Sequence, residues 1–292
     1  MFALSETSRQ LRFACTQCGA CCNRSPEVAL SEAAALADAF VFRLMFRLYE
    51  LPRKWAPDPA APSGEEFYET KRLLAAFAAR KYAAKTKLGG KTVETTRYVT
   101  ISALTLGSGS GACAALRDGR CGIYDRRPLA CRTVPFHYSR PEASAEKDLS
   151  AFVETPGYGC ETGSGAPVVL DAGRIVDPQA REARSDALDR ARHDRSWEEA
   201  ILRRLKGGGG DQDLPSLREI EANAAYGATT ISMGVAWRIA AEAGLMGPEE
   251  CRRLIAAQQT VIERELAGTA YGSEARETLV EMRAEYLDLL AG

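Results

Sequence analysis

Four cysteines fall within eight residues near the start of this chain, Cys15-Thr16-Gln17-Cys18-Gly19-Ala20-Cys21-Cys22. An isolated free cysteine packs as a small hydrophobe, but thiols at this density are better suited to holding a metal as thiolates. The spacing C-x2-C-x2-C matches the opening of a bacterial ferredoxin run. A C-x2-C pair serves equally in a zinc knuckle, where a turn aims both sulfurs inward. Spacing alone leaves zinc and iron-sulfur both open.

A second group follows at Cys113, Cys121 and Cys131, again among turn-forming residues. Cys160, in Gly157-Tyr158-Gly159-Cys160, brings the donor set to eight, enough to fill two four-thiolate sites. In an extended backbone the Cys21 and Cys22 side chains point to opposite faces and would not readily serve one tetrahedral ion. That favours two centres or a multinuclear cluster. Four thiolates around a divalent ion leave about two negative charges to be offset. Arg24, Arg117, Arg120, Arg126, Arg127 and Arg132 lie within a few residues of the donors. Of the two histidines, His137 follows Cys131 closely enough to be an additional ligand or an acid-base group, although a single imidazole more often has a structural role. His193, on a strongly charged segment, reads as exposed, and Cys251 as a spare. Tyr124 is a candidate hydrogen-bonder beside the site, though packing is the commoner use of such an aromatic.

The totals narrow the classes. A length of 292 residues favours about two domains. A formal net charge of -1 and a pI near 6.3 give no overall attraction for nucleic acid or anionic membrane, so the expected partners are proteins or small molecules. Oligomeric state is not indicated. Met1 to Gln10 lack the apolar stretch of a secretory signal, and no run reaches the ~20 apolar residues of a membrane span. The expectation is therefore a cytoplasmic protein. In that reducing setting nine cysteines read as ligands plus spares rather than disulfides.

Around these donors the sequence predicts a mainly α fold with a small irregular β element at the cysteine-rich metal site and a helical C-terminal region. Ser31 is placed to cap a helix running to about Leu48, crowded with Phe40, Val41, Phe42, Leu44, Met45, Phe46 and Leu48, with Arg43 and Arg47 as a polar edge. Pro52 to Pro62 reads as a loop, Glu65 to Lys85 as a helix, and Thr92 to Leu106 as a strand. Asp118-Gly119 and Asp171-Ala172-Gly173 are hairpin signals. Asp177-Pro178 starts a long polar helix ending near Lys206. Gly207 to Gly210 reads as a linker, which divides the chain into a metal-binding domain (1–206) and a helical bundle (211–292) of three or four helices, one opened by Gly247-Pro248. Gly107-Ser108-Gly109-Ser110-Gly111 follows a strand as a nucleotide or S-adenosylmethionine loop would. Such a loop should open a helix, whereas Cys113 and a hairpin come next, so it reads as an ordinary loop.

Together, Cys15-x2-Cys18-Gly19-x-Cys21-Cys22, then Cys121-Gly122-Ile123-Tyr124-Asp125-Arg126-Arg127-Pro128-Leu129-Ala130-Cys131-Arg132 and Pro135, resemble the CxxCxxCC (YkgJ-like) cysteine-cluster family of zinc- or iron-chelating proteins. The likeness runs from about Phe13 to Cys160. It implies ligation by Cys15, Cys18, Cys21, Cys22, Cys113, Cys121 and Cys131, with Cys160 resembling the later cysteine of many members. The family includes flagellin lysine-N-methylases, so the resemblance also implies S-adenosylmethionine-dependent methyl transfer to protein lysine for some relatives. The C-terminal segment carries no motif matching those enzymes. The leading expectation is a metalloprotein holding an iron-sulfur cluster, iron or zinc. A lysine N-methyltransferase-like enzyme and an iron-sulfur electron carrier are the alternatives, and no catalytic residue is named.

Overall fold

A computed structural model describes residues 10–57, 62–107, 112–206, 214–268 and 271–291. Its spine is an antiparallel pair, Phe42–Pro52 against Lys91–Thr105, in register from Phe42 opposite Thr105 to Pro52 opposite Thr95. Arg80–Leu88 folds back on the first half of Lys91–Thr105 through Gly89 and Gly90, both left-handed (φ 54° and 80°), as a tight two-residue turn requires. Glu27–Val28 pairs with its other end, and Thr229–Ser232 adds a fifth strand beside Phe42–Pro52. A three-stranded sheet (Leu11–Arg12, Val168–Asp171, Arg174–Ile175) and a small hairpin (Leu116–Arg117 with Arg120–Cys121) complete the β structure.

The mainly α expectation is therefore overturned by a five-stranded sheet at the centre of the molecule. The helix predicted from Ser31 to Leu48 is a short helix, Leu30–Ala35, followed by the strand Phe42–Pro52. Phe42, Leu44 and Phe46 are fully buried on one face and Met45 on the other, because neighbouring strands and helices cover the strand on both sides. Burial on both faces removes the alternation that identifies a strand. Likewise the helix expected over Glu65 to Lys85 ends at Phe77, and Arg80–Leu88 is an edge strand with Lys81, Lys85 and Lys87 outward. Pro52 closes the strand rather than opening the loop, and residues 58–61 of that loop lie outside the described residues.

One core joins sheet and helices. Val28, Phe42, Leu44, Phe46 and Ala103 pack with Ile201, Trp237, Leu254, Ile262, Leu279 and Tyr286. Each such large side chain contributes roughly 1.5–3 kcal/mol on leaving water. The segment after residue 213 contains the helices Leu217–Asn223, Met233–Glu242, Pro248–Ala267 and Ser273–Ala291, and it supplies both a strand of the sheet and half of this core. The Gly207 to Gly210 linker and Ser108 to Gly111 lie outside the described residues. Asp177 caps the helix Pro178–His193, its carboxylate accepting from the Ala180 amide at 2.8 Å. The long helix expected to reach Lys206 is interrupted at Asp194, whose carboxylate accepts from the Ser31 amide at 3.0 Å. Among the described residues no helix is long and apolar enough to cross a membrane.

A smaller cluster of Phe13, Phe136, Leu149, Val169, Leu170 and Ile175 lies under the three-stranded sheet. Phe13, two residues before Cys15, is the apolar anchor that brings the N-terminal cysteine run onto the body of the protein.

Candidate metal centre

The N-terminal run leaves the sheet at Ala14, which exchanges backbone hydrogen bonds with Glu161 at 2.8 and 3.1 Å. That exchange sets Cys15 beside Cys160. Thr16 reinforces the seam by donating its hydroxyl to the Gly159 carbonyl at 2.7 Å. Gly19 then turns the chain with φ 73°, and a methyl group in place of its hydrogen would meet the Gly119 carbonyl oxygen at 2.3 Å. The glycine both permits the left-handed turn and lets the run lie flat against the tip of the Leu116–Cys121 hairpin. Asp118 and Gly119 form that tip with φ 50° and 75°. The Cys113 amide donates to the Cys22 carbonyl at 2.8 Å, fastening the two cysteine blocks. Cys131 arrives on the short helix Leu129–Arg132, whose start is capped by the buried Glu32 carboxylate accepting from the Leu129 amide at 2.7 Å.

These elements bring all eight cysteines expected as ligands to the lining of one cavity of about 560 Å³. Cys251 lies apart, buried in the main core. Within the cavity Cys160 feels Cys15, Cys18 and Cys21, while Cys131 feels Cys113, Cys121 and also Cys21, and Cys22 feels Cys21, Cys113 and Cys131. These influences meet at Cys21 and Cys22. The backbone there is a turn, closed by the Cys22 amide donating to the Gly19 carbonyl at 2.9 Å, so the opposite-face geometry of an extended chain does not apply. Instead the interaction between the neighbouring thiols pulls Cys21 down, helped by the Arg24 and Arg127 guanidiniums, and pushes Cys22 up, helped by burial. Hydrogen bonds from the backbone at Ala20 and Gly159 lower Cys18. Burial raises Cys113 and Cys160 and lifts Cys131 to about 12.

The donor set fits a thiophilic metal. Eight soft sulfurs line one space, and burial disfavours bare thiolates at Cys113, Cys131 and Cys160 unless a cation replaces the protons. Among the described residues no three His, Cys, Asp or Glu side chains already stand in a geometry that would hold an ion. Closing the site requires the sulfurs to draw in.

Of the arginines expected to offset thiolate charge, Arg24, Arg127 and Arg132 line the cavity. Arg127 lies over the Tyr124 ring at 3.8 Å and donates to the Tyr124 carbonyl, which gives that tyrosine its packing role. Arg117 lies near Cys113 and donates to the Ala114 and Leu116 carbonyls. Arg126 turns to Asp38 at 2.9 Å, and Arg120 is exposed.

His137 also lines the cavity. The Ser139 amide donates to its Nδ1 at 3.2 Å, so in the neutral ring Nε2 carries the proton. Burial, then Arg24, Arg140, Arg184 and Arg47, lower its pKa to about 4 and keep it neutral. Sequence reasoning missed Glu27, which lines the cavity, and placed Arg47 only on a helix edge. The Arg43 and Arg47 spacing fits a strand as well as a helix and was the available signal.

No curated protein and no solved structure matches the chain. Residues 14–155 match the family model CxxCxxCC, described as "Putative zinc- or iron-chelating domain". That span contains seven of the eight clustered cysteines. Over residues 14–155 the chain is thus similar to the CxxCxxCC family.

Proposed function

We propose that this protein binds two metal ions, or one multinuclear centre, through two adjoining four-thiolate groups. Cys15, Cys18, Cys21 and Cys160 form one group, and Cys22, Cys113, Cys121 and Cys131 the other. The observation that carries the reading is the convergence of eight of nine cysteines, from four separate stretches of chain, on one cavity. Arg24 and Arg127 supply positive charge beside Cys21, and Arg127 does so beside Cys131 as well. Zinc in such groups would cross-link the N-terminal run to the hairpin, while an iron centre would add one-electron chemistry. The main-chain fastening at Cys22 and Cys113 and the Gly19 contact hold the two cysteine blocks against each other.

The test is anaerobic purification followed by elemental analysis and an absorption spectrum. Zinc gives a colourless protein and iron-sulfur a brown one. A chain supplied with zinc, iron and sulfide that retains none of them at stoichiometric levels would contradict the reading.

A further inference from the structure

A second cavity, of about 710 Å³, lies against the cysteine cavity. Arg24, Glu27, Arg47, His137, Phe152 and Tyr158 line both spaces and form the wall between them. The volume falls in the range of small-molecule pockets, roughly 300–1,000 Å³. Away from the wall much of the lining is apolar, including Val28, Leu51, Leu74, Phe77 and Ile101.

The charged groups of this cavity are mostly committed to the fold. Glu32 caps the helix at Leu129, Asp194 accepts from the Ser31 amide, and Glu198 pairs with Arg195 at 2.9 Å. Asp148 takes Arg140 at 2.5 Å. At the wall, Glu27 takes Arg47 at 2.9 Å and the Ser102 hydroxyl at 2.8 Å. Arg24 is exposed and has no hydrogen-bond or carboxylate partner among the described residues, so its guanidinium, although it lies near Cys21, keeps its N–H donors free at the shared wall. Beside it the neutral His137 ring, with Nδ1 engaged, keeps Nε2–H as a donor.

We propose that this second cavity binds a small organic acid. Its carboxylate lies at the wall shared with the cysteines, against Arg24 and His137, and its apolar body fills the space among Leu51, Leu74, Phe77 and Ile101. An unpaired guanidinium selects an anionic head. The apolar lining selects a hydrocarbon or aromatic body over a fully polar one. The acid would thereby be delivered to the face of the metal centre. Binding itself depends on the cavity and not on the metal reading, which lets the two be tested separately.

The experiment titrates the full chain, as purified and after metal removal, with 3-phenylpropionate, 3-phenylpropanol and 3-phenylpropylamine, followed by ligand-observed NMR. These probes share a body and differ in head-group charge. Ligands of this size are expected to bind with Kd on the order of 1 mM. The acid should bind at least about tenfold more tightly than the alcohol or the amine. Arg24→Ala should remove most of that preference and Arg24→Lys should restore part of it, with all three proteins compared after metal removal so that any effect of Arg24 on the metal does not enter. Equal affinity for the three probes, preference for the amine or alcohol, no saturable binding of the acid, or acid binding unchanged in Arg24→Ala would each overturn the proposal. Acid binding by a protein that retains no zinc or iron when supplied with them would sink the metal reading and leave this one standing.

Discussion

The backbone amide of Cys113 donates to the carbonyl of Cys22 at 2.8 Å, so the two cysteine blocks are joined by main chain independently of any sulfur chemistry. A metal would then act on a frame that is already assembled. Its contribution would be local rigidity more than global folding, which differs from small zinc domains that are unfolded without their ion.

The proposed pair of four-thiolate groups predicts a graded loss of metal. Cys18→Ser and Cys121→Ser should each remove about half of the bound metal, because each takes one donor from a different four-thiolate group. Cys251→Ser should remove none, since that side chain is buried in the main core. Elemental analysis per chain reads the result. Complete loss in both single variants would show a single shared cluster.

Gly19→Ala should weaken both stability and metal retention. A left-handed alanine costs about 1–2 kcal/mol, and its methyl would stand 2.3 Å from a backbone oxygen that cannot move without shifting the hairpin. Gly119→Ala is the comparison. Its φ is also positive, but nothing lies within 4 Å of the added methyl, so the cost should be the backbone conformation alone. Thermal melts should rank Gly19→Ala below Gly119→Ala, and equal melting temperatures would refute the close contact.

Gln258→Leu tests the join between the sheet and the C-terminal helices. The buried Gln258 amide accepts from the Phe42 backbone at 2.8 Å and donates to the Ala37 and Phe40 carbonyls at 2.7 Å each. Leucine would leave three buried backbone groups without partners, at about 1–3 kcal/mol for each. Urea unfolding should show a loss of several kcal/mol, and a shift below about 1 kcal/mol would mean that the groups find other partners.

Glu198 predicts a pH dependence. Burial first, then Asp194 and Glu199, raise its pKa to about 8, despite the opposing effect of Arg195. An unfolded glutamate titrates near 4.3. Between those values the unfolded chain releases a proton that the folded chain keeps, so stability falls as pH rises from about 4.3 to about 8. The total is of the order of 5 kcal/mol. Glu198→Gln should flatten that slope and gain relative stability at pH 8, as read by unfolding midpoints across the range. Parallel slopes for both proteins would refute it.

The parts of this structure legible in the sequence are those fixed by local chemistry. Asp118-Gly119 and Ala172-Gly173 carry positive φ at two-residue hairpin turns, Asp177 caps its helix, and the β-branched run of Lys91–Thr105 is a strand. The cysteine spacing found the lining of the cavity for the same reason, since turn residues and thiols lie side by side in the chain. What was not legible depends on distant partners. Phe42–Pro52 reads as helix until Thr229–Ser232 and Lys91–Thr105 flank it, and Arg80–Leu88 is a strand only because Lys91–Thr105 offers it an edge. The second cavity was likewise out of reach, because Arg24, Arg47 and His137 are brought together by tertiary folding and share no motif.

The strand Thr229–Ser232 also sets where this protein can be cut. Excised at residue 206, the part that carries the cysteine cluster would bare the hydrogen-bonding edge of its central strand and an oily surface of Phe42, Leu44 and Phe46. Such a fragment should self-associate through that edge, so the cysteine portion is not a portable cassette but one side of an interdependent whole.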